Sequence, residues 1–260
     1  MLRTVNATRY VLALREGGSL PAIAEAEDLG LYVVKFRGAG QGPLALVAEL
    51  VAGEIGRALG LRIPEIVFIH IDAALGRNEP DYEIRSLLKA SHGINIGLDY
   101  LPGSTMFDPA AKDTASSEIA SLGVWFDAFV QNVDRTPRNA NLLNWHRQLY
   151  FIDHGAALFF HHDWPSIAGK ATSPFAEVAQ HILLPWADDL GRASAVAHER
   201  LSRGVFASIL EQVPEDWLSG ERDGIPPVEK RAAYLDHLTR RLASSTIFEE
   251  EVARARNRVV

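Results

Sequence analysis

At 260 residues, with 47% hydrophobic and 23% charged residues, the chain has an ordinary globular composition and room for a large core. A formal charge of −7 argues against a surface built for generic nucleic-acid backbone binding, and the lack of any cysteine excludes disulfides, thiolate metal sites and cysteine nucleophiles. Residues 1–7 lack the apolar core of a signal peptide and no apolar run approaches the roughly 20 residues a bilayer span needs, so a cytoplasmic protein without a membrane partner is expected.

The first hundred residues read as strands interrupted by helices. Residues 10–14 predict a short strand, and Arg15, Glu16, Gly17, Gly18 and Ser19 a turn whose adjacent glycines would let backbone amides come close to a phosphate. Residues 31–36 are a run of branched and aromatic residues, a strand that contains Lys35 between Val34 and Phe36. A lysine among buried neighbours needs a partner or an outlet; the plainer reading puts it on a solvent face.

After a glycine-rich loop, residues 44–59 carry Leu44, Val47, Ala48, Val51, Ile55, Ala58 and Leu59 at helical spacing, and Gly60 ends the helix. Glu49 lies beside that face with Ala45, Ala52, Gly53 and Gly56, a small-residue strip along which a carboxylate can meet Lys35; Glu54 is the rival. Residues 63–71 read as an edge strand after Pro64, residues 81–88 as a short helix, and residues 94–104 as a strand running into a Pro-Gly turn. The resulting division is 1–100 and 101–260.

The second part is mostly helical. From Ala115 the residues Ile119, Leu122, Trp125, Phe126, Phe129 and Val130 predict a helix that delivers a polar loop. In that loop Asp134 stands five residues before Asn139; strands at 141–145 and 148–152 then lead to Asp153, His154 and Gly155. Further helices are expected near 175–184, 192–212 and 227–257, and the fold class is α+β.

The Asp134-to-Asn139 spacing is similar to the catalytic loop of eukaryotic-type protein kinases, where an Asp-Phe-Gly follows a short hairpin. The whole order (glycine turn, strand Lys35, helix Glu49, Asn132-Val133-Asp134-Arg135, Asn139, Asp153-His154-Gly155) resembles the HipA-like kinases over roughly residues 8–200. The resemblance implies a two-lobed kinase fold: an antiparallel sheet plus one helix in the first lobe, helices in the second. It further implies ATP and magnesium as cofactors, Asp134 as the catalytic aspartate, Asn139 and Asp153 as metal ligands, and Lys35 as the phosphate-binding lysine with Glu49 as its partner. Main chain at Leu98, Asp99, Tyr100 and Leu101 would hold the adenine, and Gly17, Gly18 and Ser19 would cover the phosphates.

Departures from the family pattern are Thr136 and Pro137, where histidine and alanine are common, a short irregular glycine loop, and Asp-His-Gly in place of Asp-Phe-Gly. HipA toxins carry an additional N-terminal subdomain for which a sheet starting near residue 10 leaves no room, so the toxin role is not expected to transfer. A nucleotide partner and a protein or small-molecule phosphate acceptor are implied. A pseudokinase-type binding module is the alternative. A hydrolase using His154, His161, His162 and Asp163 is weaker, because adjacent histidines point apart; His161 and His162 read as surface or interlobe polar residues. Arg135 and Arg138 read as phosphate or substrate ligands, or as partners of acidic neighbours.

Overall fold

Five strands from the first hundred residues build a closed barrel. A computed structural model describes residues 1–14, 20–77, 79–164, 167–219 and 224–259. Its first elements are β1 (Thr4–Ala13), β2 (Ala22–Ala26), β3 (Leu31–Lys35), α1 (Gly42–Leu59), β4 (Ile66–Ile71), α2 (Tyr82–Ala90) and β5 (Gly93–Asp99). The strand order is β1-β2-β3-β5-β4, and β4 returns to β1 through a parallel pair, Thr4 to Phe68 and Asn6 to His70. Ala22, Ala24 and Ala26 line the interior of β2 at a spacing of two, and a Cβ on Gly97 would already lie 3.0 Å from Val67.

Two expectations are corrected here. The segment at 63–71 is not an edge strand: β4 begins at Ile66, two residues past Pro64, so the proline's missing N–H falls outside the ladder and both sides of β4 pair. The sheet is also not wholly antiparallel, and with the short helix expected at 81–88 it carries two helices where the resemblance implies one. The second, α2, is N-capped by Asp81, whose carboxylate accepts the Glu83 amide at 2.9 Å, and it lays Ile84, Leu87 and Leu88 on the barrel.

Helix α1 is buried almost all round, because the barrel covers one side and later helices the other. Gly53 and Gly56 make that possible, since a Cβ on either would collide with Ile66 or Ile63. Gly60 ends the helix in the left-handed conformation, φ 89°.

The remainder comprises β6 (Thr105–Met106), α3 (Ser117–Val130), the hairpin β7 (Leu142–Trp145) and β8 (Gln148–Phe151), then α4 (Ile167–Lys170), α5 (Leu190–Arg200), α6 (Arg203–Leu210), α7 (Glu215–Ser219), α8 (Pro227–Ala243) and α9 (Thr246–Arg256). Ser116 caps α3, and every residue from Ala120 to Val130 is buried. Trp125 anchors it, stacked on Phe129 at 5.2 Å and edge-on to Phe248 at 5.3 Å.

Three expected helices are broken. The 175–184 segment forms tight turns at Ala176–Gln180 and Leu184–Trp186, because Phe175 is left-handed at φ 59° and Pro185 withdraws a donor. Ser202 ends the 192–212 run and caps α6 through the Val205 amide. Ser244 and Ser245 separate α8 from α9. Among the described residues no helix is long and apolar enough to cross a membrane.

Candidate active site

Lys35 is the last residue of β3, and Glu49 faces it from α1. Lys35 Nζ donates to Glu49 Oε2 at 2.7 Å and also to Asp153 Oδ1, 118 residues further along the chain. Glu49 is fully buried, Lys35 retains 11% of its side-chain exposure and Asp153 42%. Burial opposes the lysine's charge, yet the Glu49 and Asp153 carboxylates outweigh it and hold Lys35 above the usual lysine range. Burial pushes Glu49 up against the pull of Lys35 and of the His154 amide, which donates to Oε2 at 2.8 Å; its other oxygen, Oε1, has no partner among the described residues. A cleft lined by Phe36, Ala39, Gln41, Gly42, Ala45 and Gly155 opens onto Lys35. Glu54, the rival carboxylate, instead accepts from Arg57 at 3.3 Å.

On the other side, α3 ends at Gln131 with φ 55°, turning the chain into the polar loop. Thr136 and Asn139 close a tight turn by exchanging two backbone hydrogen bonds of 3.0 Å. That turn lets Asn139 Nδ2 donate to Asp134 Oδ2 at 2.7 Å. Burial first, and then the charge of Asp153, raises the Asp134 carboxyl above the ordinary aspartate value. For Asp153 the order is reversed in outcome: burial pushes it up, but the charge and hydrogen bond of Lys35 bring it below the ordinary value. The β7–β8 hairpin turns through His146 and Arg147, both left-handed at φ 49° and 62°, and its open end delivers Asp153 at φ 55°. A non-glycine residue held in that conformation stores strain, as functional sites often do.

Beneath the loop lies a cluster that residue spacing did not reveal. Asp127, fully buried in the last turn of α3, accepts from Asn132 Nδ2 at 3.0 Å, from Arg135 Nε and Nη2, and from His181 Nε2 at 2.8 Å. Burial penalises its charge, but Arg135 and His181 outweigh that and hold the carboxyl well below the usual range. Arg135 is thus the partner of an acidic neighbour, not an exposed phosphate or substrate ligand. The one available signal was a charged residue between Phe126 and Ala128, at a helix position surrounded by apolar neighbours. Arg241 of α8 is likewise buried; it donates to the carbonyls of Ala128 and Phe129 at the end of α3 and to those of Lys170, Ala171 and Ser173. Burial alone lowers its guanidinium to about 9.

The other expected residues fall out as follows. Gly17, Gly18 and Ser19 lie outside the described residues. Leu98, Asp99, Tyr100 and Leu101 form the end of β5 and its exit, and the amides of Asp99 and Tyr100 already donate to Glu65 and Leu31, each at 2.9 Å. A base held there must use the Leu101 amide or carbonyl oxygens. His161 is not a surface residue: it is fully buried, with Nδ1 against the Tyr234 hydroxyl at 2.9 Å, while His162 is exposed and His154 sits with Arg135. Among the described residues no three His, Asp or Glu side chains are grouped to hold a metal by themselves.

The chain belongs to the HipA-like kinase family, whose model matches residues 9–250. Its fold is similar to the crystal structure of a Helicobacter pylori proinflammatory kinase, CtkA, with a TM-score of 0.54 at 13% identity over 99% of both chains. No curated protein matches.

Proposed function

We propose that the chain is an ATP- and magnesium-dependent phosphotransferase that moves a γ-phosphoryl group to a hydroxyl acceptor, with a two-lobed arrangement divided near residues 100 and 101. The observation that carries the reading is the meeting of Lys35 with both Glu49 and Asp153. Family membership supports a kinase.

In this reading Lys35 binds nucleotide phosphate, and Glu49 keeps its ammonium aimed at the cleft. Asp134 accepts the proton of the acceptor hydroxyl as its oxygen bonds to the γ-phosphorus and the bond to the ADP leaving oxygen breaks. A carboxyl raised by burial and by the charge of Asp153 suits that task, because it gains basicity. The donor set fits magnesium: Asn139 uses its amide N–H on Asp134, which leaves the amide oxygen open, and Asp153 offers a half-exposed carboxylate. When bound there, the ion supplies positive charge against the phosphates. Gly17, Gly18 and Ser19 would cover the phosphates, and the 98–101 segment would hold the base.

The test is ADP formation by the purified chain with ATP and magnesium, alongside Asp134→Asn and Asp153→Asn. Turnover should fall by orders of magnitude in both variants. Undiminished ATP consumption in either would sink the assigned roles, and nucleotide binding without turnover would leave a pseudokinase-type module.

A further inference from the structure

Asn139 and Asp153 sit on either side of the open end of the β7–β8 hairpin. The backbone there is awkward: Asn141 has φ 48° and Asp153 φ 55°, so both exits from the hairpin run through left-handed, non-glycine residues. Ile152 N donates to Asn141 O at 3.0 Å and closes the ladder at this point. Asn141 Nδ2 also donates to Asp134 Oδ2 at 3.5 Å and Lys35 to Asp153, but the side chain that spans both exits is Arg135. Arg135 Nη1 donates to the carbonyls of Asn141 and, at 3.2 Å, of Ile152; Nη2 donates to His154 Nδ1 at 3.2 Å and to Asp127 Oδ1 at 3.4 Å; Nε donates to Asp127 Oδ2.

Each of the five guanidinium N–H groups therefore has an acceptor, and the acceptors lie on both strands' exits, on the residue after Asp153 and on α3. Asp127 is saturated in turn, with Oδ1 taken by Asn132 and Arg135 and Oδ2 by Arg135 and His181. The planar fork leaves Arg135 one orientation, and lysine, with three donors on a point charge, does not reproduce it.

We propose that Arg135, oriented by Asp127, is a positioning residue that fixes the spacing of the Asn139 amide oxygen and the Asp153 carboxylate, and so sets the metal affinity of the nucleotide complex. The inference rests on the phosphotransfer reading. The Arg135 side chain is fully buried, so its effect passes through the carbonyls of Asn141 and Ile152 and through His154.

The test is calorimetric titration of Mn²⁺ into the full chain saturated with a non-hydrolysable ATP analogue, with analogue affinity measured separately without metal. Arg135→Lys is expected to weaken Mn²⁺ binding about 10- to 100-fold, the range found when groups supporting a metal ligand are removed. Metal-free analogue affinity, governed by Lys35 and the barrel side of the cleft, should stay within about 3-fold, and a cooperative melt establishes that the variant is folded. His154→Phe, which removes one of the two Nη2 acceptors and leaves the Asp127 pair intact, serves where the lysine variant does not fold; a weakening of about 3-fold or more is expected. Unchanged Mn²⁺ affinity in a folded variant overturns the positioning role alone. No Mn²⁺ binding by the unaltered chain with the analogue overturns the phosphotransfer reading and the positioning role with it.

Discussion

Two clusters of the same residue types lie on either side of the β7–β8 hairpin, and they are built to opposite ends. Around Lys35, carboxylates outnumber the cation: Glu49 Oε1 has no partner among the described residues, Asp153 is half exposed, and Asp134 is raised by burial and by the charge of Asp153. Around Arg135, by contrast, Asp127 and the guanidinium are fully buried and every donor has found an acceptor. A saturated buried network fixes geometry but offers nothing to an incoming group. An unsaturated one has spare lone pairs and unbalanced negative charge, which is what a cation or a proton can exploit.

That contrast can be broken most sharply at Asp134. Asp134→Asn should lower turnover by about 10²- to 10⁴-fold, the usual share of a general base, with little change in melting temperature because the side chain is only partly buried. A large drop in melting temperature would place Asp134 with the structural cluster instead. Asp127→Ala is the mirror experiment. It strands Arg135 as an unpaired buried charge, and urea denaturation should show a loss of about 3–5 kcal/mol. Asp153→Ala, half exposed and sharing Lys35 with Glu49, should cost no more than about 1 kcal/mol after solvent screening.

A smaller effect comes from pH. His161 and His237 are both depressed, His237 to about 3, by burial first and then by His162 and Arg241 respectively. The unfolded chain therefore takes up protons at these positions, near the ordinary histidine value of about 6.5, before the folded chain does. Stability should decline as pH falls below that value, by up to about 1.4 kcal/mol per pH unit for each histidine, until the folded pKa is reached. A urea midpoint that stays flat between pH 7 and pH 5 would contradict this. Asp127 acts lower still: its stabilisation is complete above the unfolded aspartate value of about 3.9 and is lost as pH falls through its depressed folded value. The smallest expected change is in the titration of Asp134 followed by carboxyl carbon NMR. Asp153→Asn removes a neighbouring negative charge, so the Asp134 pKa should fall.

How much of this was legible in the chain depends on the range of the interaction. Helical spacing was enough to put Glu49 rather than Glu54 opposite Lys35, because both face positions follow from one local period. The strands at 31–36, 141–145 and 148–152 were likewise readable from short-range patterns, whereas β1 begins at Thr4 rather than near residue 10 and β6 was not anticipated. Barrel closure was not, since the β1–β4 pair joins residues some sixty positions apart and no local feature marks a parallel partner. The breaks at Ser202 and at Ser244–Ser245 were hidden because apolar periodicity continues across them; a serine reads as a surface residue as readily as a cap. Arg135 was ambiguous for a different reason. Its role depends on where α3, the hairpin and the 181–183 segment converge, and only tertiary packing decides that.

Arg241 has a consequence for the order of assembly. The carbonyls of Ala128 and Phe129, at the end of the helix that presents the Asp134 loop, receive donors from a residue more than a hundred positions later. A chain emerging from the ribosome can close its barrel and pair the β7–β8 hairpin before α8 exists, yet those carbonyls wait for it. The barrel side of the cleft is thus complete early in synthesis, while the loop opposite it is among the last parts of the molecule to be secured.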